Sequence, residues 1–271
     1  MVTKNYIAKG EGADRFEKVP VQIYEKPAAA VKAVADEIAG LIRSKAAKGE
    51  KCVLGLATGS SPIKLYQELV RMHKEEGLSF KNVISFNLDE YMPMPKDSVH
   101  SYHYFMHHHL FNHIDIDPKN VHIPDGTLKN EEVDKFCREY EEQIEAAGGV
   151  DIQILGIGRT GHIGFNEPGS PVTSKTRMVF LDNLTMKDAS GEFGGIENVP
   201  TKAITMGVGT IMKARKIILM AWGEAKAPII RATVEGSISD SVPATFLQMH
   251  PNVQFVIDES AAEELTRANF P

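Results

Sequence analysis

An open, mostly parallel α/β sheet with helices on both faces is the fold class this sequence predicts. Three observations lead there. Short apolar runs, each long enough for one buried strand, alternate with longer segments whose apolar residues recur at helical spacing. Such alternation builds parallel sheets covered on both sides, because each strand returns through a helix. The glycine, hydroxyl and acidic clusters fall directly after strands, at the sheet edge where these folds hold ligands.

Residues 1–19 are polar and are expected to form a loose arm before a single α/β domain over 20–271. Val21 to Tyr24 alternates as a short strand. Ala28 to Lys48 is alanine-rich, with Val31, Val34, Ile38, Leu41 and Ile42 at helical spacing. Cys52 to Ala57 is a buried strand, Pro62 to Lys74 an amphipathic helix and Val83 to Phe86 a third strand. Tyr102 to Phe111 and Glu131 to Ala147 follow as helices. Ile152 to Leu155, Ile217 to Ala221 and Val253 to Ile257 complete the strands, and Glu259 to Asn269 reads as a closing helix. Gly191 to Val199, rich in glycine and acid, is expected to be a surface loop.

With 271 residues, 42% of them hydrophobic and 24% charged, the chain can bury a core without staples. Its net charge of -6 argues against a general nucleic-acid binder. No apolar run approaches the length of a membrane helix. Met1 to Gly10 lacks the apolar core of a secretory signal. Cys52 and Cys137 fall in apolar patterns, as reduced structural thiols of a cytoplasmic protein do.

The segment from Gly156 to Pro168 carries the strongest chemical signal. It follows a strand and gathers Gly156, Gly158 and Gly161, which let backbone N–H groups approach a ligand. His162 is a candidate proton shuttle near neutral pH, and Glu167 is close enough in sequence to orient it. A bare glycine-rich turn explains the same glycines, and the pattern is no dinucleotide fingerprint. Thr58, Gly59, Ser60 and Ser61 open the helix after the second strand, with Ser61 as the expected cap and Pro62 at the first helical position. Hydroxyls and free N–H groups there form a phosphate cradle, or a plain cap without a ligand. Asp89 and Glu90 end the third strand. An extended backbone points them opposite ways, so one faces the pocket and can serve as a carbon-acid base. A solvated acidic turn is the alternative. His103 and His107 lie one helical turn apart, but no third ligand stands at a metal-binding spacing, so no metal is expected. Lys226 opens another post-strand helix and brings an ammonium to the same edge, or is one more surface lysine.

Taken together, these segments resemble the glucosamine-6-phosphate deaminase (isomerase) family. The matching pieces are Leu56 to Pro62, Phe86 to Tyr91, Ser101-Tyr102 with Phe105-Met106, Gly156 to Pro168, Ser174 to Arg177, Thr205 to Ile211 and Gly223 to Lys226, in family order and spacing. The resemblance implies a Rossmann-like fold of the sugar-phosphate isomerase type, without metal or organic cofactor. It implies conversion of glucosamine 6-phosphate and water to fructose 6-phosphate and ammonia. By it, His162 opens the sugar ring, Glu167 tunes that histidine, and Asp89 moves a proton from C2 to C1. Thr58, Gly59, Ser60, Ser61, Gly158, Arg177 and Lys226 are the substrate-binding set that it implies.

Two departures stand out. The family places Asp where this chain has Thr160, which can only hydrogen-bond the imidazole. It also places a phosphate-binding Arg at or next to Gly191. These keep a second reading open, a non-catalytic sugar-phosphate sensor. A third reading, lactone hydrolysis as in the sister 6-phosphogluconolactonases, is disfavoured by Asn166-Glu167-Pro168 after Phe165. The Arg159-Thr160-Gly161-His162 run resembles a longer, two-domain form of the family, of which this chain is expected to be the N-terminal module. Whether the chain forms a homo-oligomer is left open by the sequence.

Overall fold

Strands that are buried on both faces build the centre of the molecule. The computed structural model describes residues 2–6 and 19–266. In chain order its elements begin with β1 (Val2–Tyr6), β2 (Val21–Tyr24), α1 (Pro27–Ala47), β3 (Cys52–Leu56), α2 (Ser60–Glu76) and β4 (Val83–Asn87). Next come β5 (Asp89–Met92), α3 (Tyr102–His109), β6 (Val121–His122), α4 (Asn130–Ala146), β7 (Ile152–Leu155) and β8 (Arg177–Phe180). The chain continues through α5 (Asn183–Phe193), β9 (Lys202–Thr205), α6 (Val208–Ile211), β10 (Lys216–Ala221), α7 (Ala227–Glu235) and β11 (Val253–Asp258).

The main sheet runs β1-β2-β11-β10-β7-β3-β4-β6. All its neighbours pair in parallel except β1, which runs antiparallel to β2. Alternation along each strand divides the core into two layers. In β10, Ile218 and Met220 face the layer shared with α1 and α2, while Ile217, Leu219 and Ala221 face the layer of α4 and α7. Helix α2 shows how the sequence makes its layer. Leu65, Tyr66, Leu69 and Met72 recur at three- and four-residue intervals and are fully buried, and Gly77 ends the helix in the left-handed conformation. Burying each such side chain contributes about 1.5–3 kcal/mol.

The predicted open, mostly parallel α/β sheet is therefore what forms, but four local expectations change. The arm expected over 1–19 is in part a strand, because Val2–Tyr6 pairs with β2; residues 7–18 lie outside the described residues. A second sheet, β5-β9-β8, is antiparallel and stands beside the main one. Its four-residue strands are too short to show a period in the sequence. Gly191 to Phe193 close α5 rather than open a loop, with Asp182 accepting from Leu184 N–H at its start and left-handed Gly194 at its end. Only Thr185 of α5 is buried, so no apolar stripe marks the helix. The closing helix expected from Glu259 is a run of turns as far as Thr266, and 267–271 lie outside the described residues.

Candidate active site

From β3 the chain moves outward one way, to β4 and β6; from β7 it moves the other way, to β10 and β11. The strands' carboxyl ends diverge at that reversal, and the crevice there is where open α/β sheets hold ligands. A cavity of about 470 Å³ occupies it, lined by the loops after β3, β7 and β10, by β5 and by α5. Tyr91, Tyr102 and Phe165 form an aromatic wall, with Tyr102 and Phe165 stacked 6.0 Å apart.

The loop after β7 holds His162. Gly158 N–H donates to the His162 carbonyl and Gly161 N–H to the Gly158 carbonyl, both at 3.0 Å. Two of the N–H groups expected to face a ligand therefore close the loop on itself. The need for glycine at 158 is steric instead: a Cβ there would lie 2.1 Å from the imidazole Nε2. His162 Nδ1 lies 3.0 Å from the Thr160 hydroxyl and 3.2 Å from Glu167 Oε2. With acceptors gathered on that side, the network assigns the proton to Nδ1 and leaves Nε2 available to the cavity. Thr185, from the first turn of α5, donates to Glu167 Oε1 at 2.5 Å. Burial pushes the Glu167 carboxyl up, but hydrogen bonds from His162, Thr185 and the Asp182 N–H outweigh it and hold the group below its ordinary range.

Asp89 and Glu90 open β5, one residue after β4, and pair with Thr205 and Ile204 of β9. The strand pleat sends them opposite ways. Glu90 turns from the cavity and accepts N–H groups of Tyr91, Tyr102 and His103 at 2.9–3.0 Å, which anchors the start of α3. Asp89 lines the cavity yet is only 6% exposed. Gly164 makes room for it, since a Cβ there would approach Asp89 Oδ2 to 3.2 Å and Thr205 Oγ1 to 2.9 Å. Burial, with the Glu90 charge second, raises the Asp89 carboxyl to about 8.

The remaining end of the cavity gathers hydroxyls, helix-start N–H groups and an ammonium, chemistry that can receive an anion. Thr58, Gly59, Ser60 and Ser61 line it at the start of α2. The cap is Gly59, with φ +94°, rather than Ser61; α2 begins at Ser60, and Pro62 stands third in it. The N–H groups of that first turn have no partner within the helix. Lys226 lines the same end and donates to the Ile157 carbonyl at 2.7 Å, with its ammonium held below the ordinary range by burial.

A family model described as glucosamine-6-phosphate isomerases/6-phosphogluconolactonase matches residues 25–256. The chain belongs to that family. It is 50% identical over 224 residues to a glucosamine-6-phosphate deaminase of Thermoanaerobacter pseudethanolicus, covering 83% of this chain and 88% of that one. A glucosamine-6-phosphate deaminase-like protein of Bacteroides thetaiotaomicron is 50% identical over 257 residues, 95% of this chain. The chain spans 39% of the length of that relative. A solved monomeric glucosamine-6-phosphate deaminase superposes with a TM-score of 0.86 at 40% identity, covering 90% of this chain and 99% of its own. A 6-phosphogluconolactonase from Trypanosoma brucei shares the fold, with a TM-score of 0.73, 22% identity, and coverage of 92% of this chain and 99% of its own.

Within this member of the glucosamine-6-phosphate isomerase family, most residues singled out from the sequence meet at one cavity. Asp89, His162, Gly158, Thr58, Gly59, Ser60, Ser61 and Lys226 line it, and Thr160 and Glu167 stand behind His162. Arg177 does not join them. Its guanidinium donates to Asn166 Oδ1 at 2.9 Å and Ser170 Oγ at 3.1 Å, bracing the loop that carries Glu167. Sequence reasoning missed Thr185, Arg159 and Asp188. Thr185 and Asp188 are ordinary polar residues locally, and their place depends on α5, which has no apolar stripe to announce it. Among the described residues, no group of three His, Cys, Asp or Glu side chains is placed to hold a metal, and no helix is long and apolar enough to cross a membrane.

Proposed function

We propose that this chain converts glucosamine 6-phosphate and water to fructose 6-phosphate and ammonia. The observation that carries the reading is one cavity holding a buried, high-pKa carboxyl, an imidazole backed by a charged carboxylate, and an anion-receiving end. Its relatives named glucosamine-6-phosphate deaminase support the same substrate.

The phosphate lies at the Thr58–Ser61 turn against Lys226, which places the sugar toward Asp89 and His162. His162 Nε2 takes the proton of the C1 hydroxyl and returns one to the ring oxygen, opening the pyranose to the aldehyde. Glu167 stabilises the imidazolium formed in passing. Asp89, as carboxylate, removes the C2 proton while the substrate's ammonium passes a proton to O1, giving an enolamine. Asp89 then returns its proton to C1, leaving a protonated imine at C2. Water adds to that imine and ammonia departs. A carboxylate raised by burial suits this step, because a stronger base takes a carbon-bound proton more readily. The free, buried Cys52 and Cys137 support a reducing compartment, and we place the reaction in the cytoplasm.

Ammonia release from glucosamine 6-phosphate tests the reading directly. Release dependent on the phosphate group is the expected result. A ligand-induced rise in Tm without ammonia would make the chain a sugar-phosphate sensor. Turnover of 6-phosphogluconolactone in its place would make it a lactone hydrolase.

A further inference from the structure

Arg159 and Asp188 form an ion pair at the anion-receiving end of the cavity. Arg159 Nε donates to Asp188 Oδ2 at 2.9 Å, and Nη2 donates to Oδ1. Both residues line the cavity, and both are near half exposed, at 49% and 41%. The pair is therefore wet and weak as a structural tie, since exposed ion pairs are worth about 0–1 kcal/mol.

The charge balance of the cavity gives the pair another use. Arg159 and Lys226 are the lysine and arginine side chains among its lining residues. Helix α5 presents Asp188, Ala189 and Glu192 there, so it brings acid and no cation. Lys226 alone neutralises half of a phosphate dianion. One loop ties the two cations together: Lys226, from the segment after β10, is fastened to the Ile157 carbonyl, two residues before Arg159. The Asp188 oxygens also occupy the Nε/Nη2 edge of the guanidinium, one of the two-pronged edges that a phosphate can use.

We propose that Arg159 is the second phosphate-binding cation of this site, and that Asp188 is a stand-in anion which substrate phosphate displaces. This rests on the sugar-phosphate reading above and adds a specificity residue to it. Asp188 lowers the cost of an empty site but competes with substrate. The two residues of the pair therefore act on affinity in opposite directions.

That opposition is the test. KM and kcat for ammonia release are measured for wild type, Arg159→Ala and Asp188→Asn, together with inhibition by inorganic phosphate. Arg159→Ala is expected to raise KM and the phosphate inhibition constant about 10- to 100-fold, with kcat within about threefold, as loss of a charge-assisted contact implies. Asp188→Asn is expected to lower both constants. If both variants weaken binding, the pair is only a tether between the β7 loop and α5, and the proposal fails. It fails equally if Arg159→Ala leaves both constants unchanged. Wild-type protein that releases no ammonia overturns the deaminase reading instead. Calorimetric titration with inorganic phosphate then still decides Arg159, since the proposal requires wild type to bind more tightly than Arg159→Ala.

Discussion

Asp89 and Glu167 are two carboxyl groups at one cavity, and their surroundings drive them apart. Asp89 sits on β5 with burial and the neighbouring Glu90 charge against its ionisation, and it is raised to about 8. Glu167 is also largely buried, but it receives hydrogen bonds from His162, Thr160 and Thr185 and stays below its ordinary range. Burial alone raises a carboxyl; donors aimed at the anion reverse the sign. The same side-chain chemistry thus yields a carboxyl with raised proton affinity in one place, as the proposed C2 proton transfer needs, and a charged partner for an imidazole in the other. When two titratable groups in one site are pushed apart in this way, the separation divides the acid–base work between them.

The largest effect tests the raised group. Asp89→Asn is expected to lower turnover by about 10³- to 10⁴-fold, because the amide cannot take the C2 proton. Solvent exchange at C2 measures the step. The same variant carries a stability signature. The folded carboxyl binds its proton up to about 8, whereas the unfolded one releases it near 3.8. The folded state therefore holds the extra proton between these values, and its advantage is lost as pH rises through about 8. Asp89→Asn should melt above wild type at pH 9, and that gain should disappear at pH 4.

Glu167→Gln should behave in the opposite sense. Its folded pKa is depressed, so its stabilisation is present above the ordinary carboxylate range and is lost as pH falls through the folded value. The variant should melt below wild type at pH 7, with the gap narrowing in acid. His162→Gln and Glu167→Gln should both slow turnover of the closed ring, by about 10²-fold or more for the histidine, since general acid–base assistance has that size. An open-chain substrate analogue should lose less. Equal losses on both substrates would remove His162 from ring opening.

A smaller effect separates the two members of the acidic pair on β5. The Glu90 charge is the second cause of the Asp89 shift. The kcat/KM of wild type should fall on the acid side with a midpoint near 8, as Asp89 must be ionised. Glu90→Gln removes a like charge, so the midpoint should move to lower pH. A midpoint that moves up, or stays, would mean that Glu90 acts only by holding the start of α3.

How far the sequence foretells this depends on the range of the signal. The parallel sheet is legible because each central strand is a continuous apolar run, as in β10, where five of six residues are buried. The post-strand loops are legible because Gly158, His162 and Asp89 lie within a few residues of those runs. The antiparallel sheet is not. Phe180 of β8 is 69% exposed, and the short strands pair residues far apart in sequence, such as Asp89 with Thr205. Thr185 and Asp188 reach the site only through the packing of a largely polar helix, and nothing in their local pattern can report that. Arg177 errs the other way: a basic residue in a family-matching segment spends its donors on Asn166 and Ser170.

The smallest expected effect concerns Thr160. Its hydroxyl lies 3.0 Å from His162 Nδ1 and 3.3 Å from Glu167 Oε2, so it can accept from the imidazole while donating to the carboxylate. It adds a bridge to a contact that His162 and Glu167 already make at 3.2 Å. Thr160→Val should therefore cost less than about tenfold in turnover, the value of one neutral hydrogen bond. Thr160→Asp is the sharper probe. It places a second carboxylate beside the imidazole and beside Glu167. The added negative charge favours the imidazolium, so less neutral His162 is present at pH 7. The part of the pH profile set by His162 should move to higher pH, while the plateau rate stays within a few-fold. Should the plateau itself collapse, the loop has been rebuilt around the hydroxyl, and the division of labour between Glu167 and Asp89 depends on Thr160 more than their direct contacts imply.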